Sequence, residues 1–254
     1  MQTTASLQPD YGNWVSKKFI FVPGILGLVF LGLALLSPWW AVPAGLFGLM
    51  CIYFLLSYYR FSPAGGDVQA KIVGLVLDRL DWDGQGQALD IGCGNGALTL
   101  RLAQKYPPAR VTGCDFWGKN WDYSQRVCER NASLAGVADR VEFQKASASA
   151  LPFEDGAFDL VVSNLTFHEV SDTRDKREVL REALRVVRPG GKFAFQDLFL
   201  VEGMYGKPDE LVSLVKSWGV REVKFVRTCD EAFIPALLKL PFMVGRIGIL
   251  YGEK

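Results

Sequence analysis

The longest pattern in the chain is an absence of charge: between Lys18 and Arg60 every residue is uncharged, and most are apolar. A helix needs about 20 residues to cross a hydrocarbon layer of about 30 Å, so the run from Phe19 to Tyr59 has the length of two passes. Ser37, Pro38, Trp39 and Trp40 stand at its middle, where a turn signal meets aromatic residues suited to the headgroup level. Pro43 then falls in the first turn of the second helix, where its missing N–H costs nothing. Ala41, Gly45 and Gly48 give that helix small residues to set against its partner. Lys17 and Lys18 precede the first pass and Arg60 follows the second, so the positive-inside bias puts both ends in the cytoplasm. A cleaved signal peptide would carry one apolar stretch of about 7–15 residues near the N-terminus, shorter and earlier than this one.

After a Pro/Gly-rich linker, "RFSPAGGD", the periodicity changes. Val68, Ile72, Val73, Val76, Leu77 and Leu80 follow helical spacing; beyond them apolar β-branched runs alternate with amphipathic ones. The pattern predicts strands near Gln87–Ile91, Arg110–Cys114, Val141–Gln144, Phe158–Ser163, Lys192–Gln196, Val220–Arg227 and Ile247–Tyr251. Helices are expected near Ala97–Lys105, Tyr123–Ala135, Lys176–Val187 and Glu210–Trp218. Strands separated by helix-length segments imply an α/β fold, a parallel sheet with helices on both faces. The chain thus reads as an anchoring helical hairpin at 1–60 and an α/β body at 61–254, the body lying on the cytoplasmic side.

The first strand runs into "DIGCGNG", where Gly92, Gly94 and Gly96 strip side chains from a loop that leads into a helix. Such a loop lets backbone approach a ligand closely at the carboxyl edge of a parallel sheet. Asp115 ends the next strand about twenty residues on, where an acid can accept both hydroxyls of a ribose. With Ala97 as the third small position the same letters also satisfy a dinucleotide pattern, so a nicotinamide-dependent oxidoreductase stays open at this point.

The wider context resembles the class I S-adenosylmethionine-dependent methyltransferases, and within them the small-molecule branch that includes quinone and sterol methyltransferases. "ALDIGCGNGALT", "GCDF", "ALPFEDGAFDLVVSNLTFHEV" and "EALRVVRPGGKFAFQD" follow one another in the family's order and spacing, from about Asp67 onward. The resemblance implies a Rossmann-like seven-stranded sheet, S-adenosyl-L-methionine as cofactor and S-adenosyl-L-homocysteine as product. It places Asp90 at the amino group of the methionine moiety, and Gly92, Gly94 and Gly96, with Cys93 and Asn95 between them, along that moiety and the ribose. Asp115 would hold the ribose hydroxyls, Phe116 or Trp117 would cover the adenine, and Asn164 would contribute backbone contacts near the sulfonium. Many relatives carry an acid that accepts from the adenine amino group; "KASASALPF" offers Ser147 there, with Ala148 beside it, and a hydroxyl is a weaker acceptor than a carboxylate.

Methyl transfer from a sulfonium needs alignment, and a general base only where the acceptor must lose a proton. His168 is the single histidine, four residues after the end of the fourth strand, and is the candidate catalytic group; Glu169 adjoins it. One histidine and scattered acids give no metal set. Five cysteines in no paired spacing point to neither a disulfide framework nor a zinc site. A net charge of +1 without clustered Lys and Arg excludes nucleic acid as the expected partner. A bilayer anchor suggests an acceptor that dissolves in lipid: a quinone, phenol, lipid or small thiol. "FIPALLKLPFMVGRIGIL", from Phe233, is apolar enough to line such an acceptor's pocket or touch the membrane surface, or to complete the core around the last strand. A membrane-tethered scaffold that binds the cofactor without catalysis is the alternative of another class.

Overall fold

The computed structural model describes residues 8–118 and 123–254; residues 1–7 of the expected anchor lie outside them. The chain divides into two compact units, Gly12–Lys71 in one, and Ile72–Lys254 with the segment up to Tyr11 in the other.

In the first unit α1 (Lys18–Ala34) and α2 (Ala41–Phe61) form an antiparallel hairpin, joined through a short 3-10 turn at Pro38–Trp40. Phe19 stacks on Phe54 at 5.2 Å, while Phe30 stacks on Trp40 at 5.5 Å and on Phe47 at 5.6 Å. At Gly27 of α1 a Cβ would stand 3.4 Å from the Gly48 amide nitrogen and 3.6 Å from the Ala44 carbonyl, and at Gly24 3.3 Å from Cys51 Sγ. A Cβ on Gly45 or Gly48 would meet nothing within 4 Å. The outward surfaces are apolar: Leu28, Leu35, Leu46 and Leu49 are all exposed. Among the described residues one helix, not two, has spanning length and apolarity: α2 with its leading turn, Pro38–Phe61. α1 is apolar but has 17 residues, because the chain leaves the helix at Ala34, ahead of Ser37 and Pro38. Polar groups at the hairpin's other end are matched: Asn13 Nδ2 donates to the Tyr58 carbonyl at 3.0 Å and Trp14 N–H to Gln69 Oε1 at 2.9 Å.

α3 (Val68–Asp78) leads into the second unit, whose order is β1 (Gln87–Ile91), α4 (Ala97–Lys105), β2 (Arg110–Asp115), α5 (Gln125–Leu134), β3 (Val141–Lys145), β4 (Phe158–Asn164), α6 (Lys176–Arg185), β5 (Val187–Asp197), α7 (Glu202–Tyr205), α8 (Pro208–Ser217), β6 (Glu222–Arg227) and β7 (Gly248–Glu253). The strands make one sheet in the order β3-β2-β1-β4-β5-β7-β6. The first five run parallel, but β7 lies antiparallel between β5 and β6, so the sheet is mixed where the spacing implied a parallel one. The reason is in the connection. Between β6 and β7 the only helical pieces are two 3-10 turns, Thr228–Asp230 and Ala236–Leu238, and no long helix carries the chain back to the far end. The strand therefore re-enters from the end at which its predecessor left.

Side-chain alternation assigns the helices. Leu89 and Ile91 join Val179, Leu180 and Ala183 of α6 in one apolar cluster. Asp90, between them in sequence, faces the other way and meets Thr99 of α4. Helices thus cover both faces. In the stretch 233–250, Ile234, Leu238, Val244 and Ile247 are buried, so most of it completes the core; Leu240 and Phe242 stay exposed at its tip.

Candidate functional site

β1 and β4 are neighbours, and the chain leaves them toward opposite sides of the sheet. A crevice opens at the carboxyl edge of such a pair. The glycine loop sits there, with Gly92, Gly94 and Gly96 all in the left-handed region at φ 73°, 56° and 85°. Gly92 and Cys93 both donate their N–H to the Cys114 carbonyl of β2, at 2.7 and 3.0 Å, which ties the loop to the next strand. A Cβ on Gly92 would stand 1.9 Å from Thr166 Oγ1, so only glycine fits against the loop that follows β4. Cys93 is buried, and burial pushes its thiol pKa well up, aided by contact with Cys128. An unreactive thiol of small volume is what the position holds. Asn95 is buried as well: its carbonyl accepts from Asn131 Nδ2 at 3.0 Å, and the same amide nitrogen reaches the Asp10 carbonyl at 2.8 Å.

Asp90 is buried, with Oδ2 accepting from the Thr99 hydroxyl at 2.6 Å. Its Oδ1 has no hydrogen-bond partner among the described residues, and neither has the buried Oδ1 of Asn164. Burial, with the Asp115 charge adding to it against the Thr99 hydrogen bond, raises the Asp90 pKa to about 7. Asp115 accepts from the Gly94 N–H at 2.9 Å and the Trp117 N–H at 2.7 Å, one on each carboxylate oxygen. Those bonds fix the carboxylate and leave lone pairs on both oxygens. Of the two aromatic candidates, Phe116 is exposed, with Lys145 Nζ 5.1 Å from its ring centre. Trp117 is half-buried at φ 45° and folds back onto the loop, its indole N–H donating to the Gly94 carbonyl at 3.0 Å. Leu165, next to Asn164, is also left-handed at φ 54°. Non-glycine residues in that region collect where surrounding structure holds a site in shape.

Ser147 follows β3, with Ala148 buried beside it. The serine is not alone. Its hydroxyl lies 2.8 Å from that of Ser149, and both donate to Asp172 Oδ2, at 3.1 and 2.7 Å. The Ser149 hydroxyl foremost, with those of Ser147 and Thr173, holds the Asp172 carboxyl below the usual range.

His168 lies in a short turn after β4, its Nδ1 2.8 Å from Asp197 Oδ1 and its Nε2 3.4 Å from Glu169 Oε1. Asp197, the last residue of β5, is wholly buried and fully engaged: it also accepts from the N–H groups of Phe167 and Leu198 and from the Tyr205 hydroxyl. Burial works against charge on the imidazole, but the hydrogen bonds and charges of Asp197 and Glu169 outweigh it and raise the His168 pKa to about 9. The ring is an imidazolium at neutral pH, so it takes a proton only after giving one up. The sequence reading passed over Asp197, Asp172 and Thr166. A terminal acid in "KFAFQD" was the one visible signal for Asp197; the others are fixed by contacts across 23 to 75 residues, which no local pattern carries. Among the described residues no three His, Cys, Asp or Glu side chains are grouped to hold a metal ion.

These residues fit S-adenosylmethionine. Two buried oxygens without partners, on Asp90 and Asn164, match a group that brings several N–H donors, as an α-ammonium does. Asp115 has lone pairs for ribose hydroxyls, and the bare loop admits the chain between them. The ligand's α-ammonium favours ionised Asp90, so binding of S-adenosylhomocysteine is expected to weaken by roughly tenfold from about pH 8 to about pH 6, as the carboxyl takes up its proton. Titration calorimetry across that range checks it, and Asp90→Asn should flatten the profile. For His168 the folded pKa lies above the ordinary value of 6.5, so its contacts stabilise the protein below that value and cease to do so as pH rises through about 9. With one histidine in the chain, the imidazole resonances report this directly: a midpoint near 9, lowered toward 6.5 by Asp197→Asn.

Comparison with known proteins agrees with the geometry. Residues 89–195 match the family described as Methyltransferase domain. The chain is 40% identical over 118 residues to the 27-O-demethylrifamycin SV methyltransferase of Amycolatopsis mediterranei, across 46% of this chain and 40% of that protein. It is 38% identical over 104 residues to the demethylmenaquinone methyltransferase of Thermus thermophilus, across 41% and 43% respectively. The chain thus spans less than half the length of these curated relatives. Among solved structures, StiE O-MT superimposes with a TM-score of 0.59 at 17% identity, covering 78% of this chain and 81% of that one, which establishes the shared fold. The likeness to a methyltransferase domain is thus carried by residues 89–195.

Proposed function

We propose that the protein is a membrane-anchored methyltransferase that moves the methyl group of S-adenosylmethionine to a small lipophilic acceptor. The observation that carries the reading is the pair of partnerless buried oxygens, Asp90 Oδ1 and Asn164 Oδ1, beside a glycine loop and Asp115. A site with unmet buried acceptors is one built for a donor that comes from outside the chain. The cofactor supplies a methyl group already activated on a sulfonium, so the protein's part is to align and to exclude water.

His168 is the group we assign to the acceptor. Held by buried Asp197 and charged at neutral pH, it attracts an acceptor oxygen that ionises readily, as in a phenol, a hydroquinone or a carboxylic acid. The relatives named for a demethylmenaquinone and a demethylrifamycin support an acceptor of that lipophilic, oxygen-bearing class.

The apolar, exposed outer surface of the α1–α2 hairpin supports a lipid location for 1–60, with 61–254 as the cytosolic catalyst. At 17 residues α1 stands at the lower limit for a helix that spans, and α2 is comfortably within it. Lys17 just before α1, Lys18 at its first position and Arg60 near the end of α2 support a cytoplasmic location for both ends of the hairpin. An anchor in the bilayer raises the effective concentration of an acceptor dissolved there.

The reading is tested with detergent-solubilised full chain, methyl-labelled S-adenosylmethionine and a quinone-containing lipid extract. Label is expected in an organic-soluble product, and His168→Ala is expected to lower kcat by roughly 10²-fold while leaving S-adenosylhomocysteine affinity unchanged. Cofactor binding with no transfer to any lipid fraction would mean a scaffold instead. Thermal stabilisation by NADH in place of S-adenosylhomocysteine would mean an oxidoreductase.

A further inference from the structure

We infer that Asp172, clamped by the hydroxyls of Ser147 and Ser149, is the acceptor for the exocyclic amino group of the cofactor's adenine. The inference rests on the methyltransferase reading and gives its site a specificity-determining residue.

The strand register supplies the placement. β2 and β3 pair in parallel with Asp115 opposite Lys145, and the Ala146 N–H donates to the Asp115 carbonyl at 3.0 Å. Ser147 is the next residue, so it stands two positions beyond Lys145, the strand partner of the acid suited to the ribose, about 8 Å away by strand spacing and rise. A nucleoside whose hydroxyls rest on Asp115 therefore has its base within reach of the loop after β3. The purine's exocyclic amino group is a donor and calls for an acceptor there.

The serines do not fill that role best, because both hydroxyls are already turned to a stronger acceptor. Ser149 donates to Asp172 Oδ2 at 2.7 Å and Ser147 at 3.1 Å, with the two hydroxyls themselves 2.8 Å apart. Asp172 belongs to the chain between β4 and α6, distant by 25 residues from Ser147, and is exposed. An exposed carboxylate gripped by two hydroxyls from another loop is oriented without being neutralised. Ser147 and Ser149 are positioning residues in this arrangement. They deliver to the end of β3 a carboxylate that β3 does not encode, and a charged acceptor binds an N–H roughly twice as strongly as a hydroxyl does.

The readout is discrimination between nucleosides, measured by calorimetry on the detergent-solubilised full chain with S-adenosylhomocysteine and with S-inosylhomocysteine, which carries a carbonyl in place of the amino group. A carboxylate faces that carbonyl unfavourably, so the wild-type protein should prefer the adenosyl ligand by about tenfold or more. Asp172→Asn is expected to reduce the preference to within about threefold, since an amide offers a donor to the carbonyl as well as an acceptor to the amine. Ser147→Asp introduced into Asp172→Asn should restore it, by putting a carboxylate at the same place from β3. Unchanged discrimination in Asp172→Asn overturns the inference, as does an equal loss of affinity for both ligands, which is the mark of a role in loop structure alone. Absence of binding by the wild-type protein to either ligand overturns the methyltransferase reading, and this inference with it.

Discussion

The Cys114 carbonyl accepts two successive N–H groups, from Gly92 and Cys93, and the architecture of the site depends on that pair of bonds. They pin the turn after β1 to the end of β2, so the carboxyl edge of the sheet has a floor made of main chain there. Once the turn is pinned, Gly92 must be glycine, since Thr166 fills the space a side chain would take. Gly94 then meets Asp115, and the carboxylate that closes β2 is fixed by the loop that leaves β1. Sheet order, loop composition and acid placement are thus one constraint seen three ways.

Electrostatics follow from the same packing. Asp115 stands near enough to disfavour charge on Asp90, which is fully desolvated besides. Such an arrangement is unfavourable in isolation and is relieved by a cation. Some residues away, the opposite case holds: buried Asp197 is satisfied by four donors and forces charge on His168. Asp90 is therefore buried with no positive charge beside it, while the charge on His168 is held by the carboxylates next to it.

Much of this was written locally in the chain. The strand ending in Asp90, the spaced glycines and helix α4 were legible because each is a short pattern with one cause, and the expected bounds of β1 and α4 coincide with those observed. The division of the sheet into parallel and antiparallel parts was not legible, because nothing in the letters of β7 distinguishes a strand that returns from one that continues. The spanning length of α1 was overestimated because apolarity runs on past Ala34, whereas the helix does not. Within the site, Ser147 was visible as a departure but Asp172 was not, since their meeting depends on two loops coming together. The same holds for Asp197, whose pull on His168 spans 29 residues.

The position of β7 bears on how the molecule is made. β6 is synthesised first, yet its only strand neighbour is β7, which in turn lies against β5. That edge of the sheet cannot grow in the order of translation: β6 must wait, unpaired, until the later strand has been made. Its charged residues Glu222, Lys224 and Arg227 suit such a delay, since a waiting strand that bears charge is a poor template for pairing with another molecule.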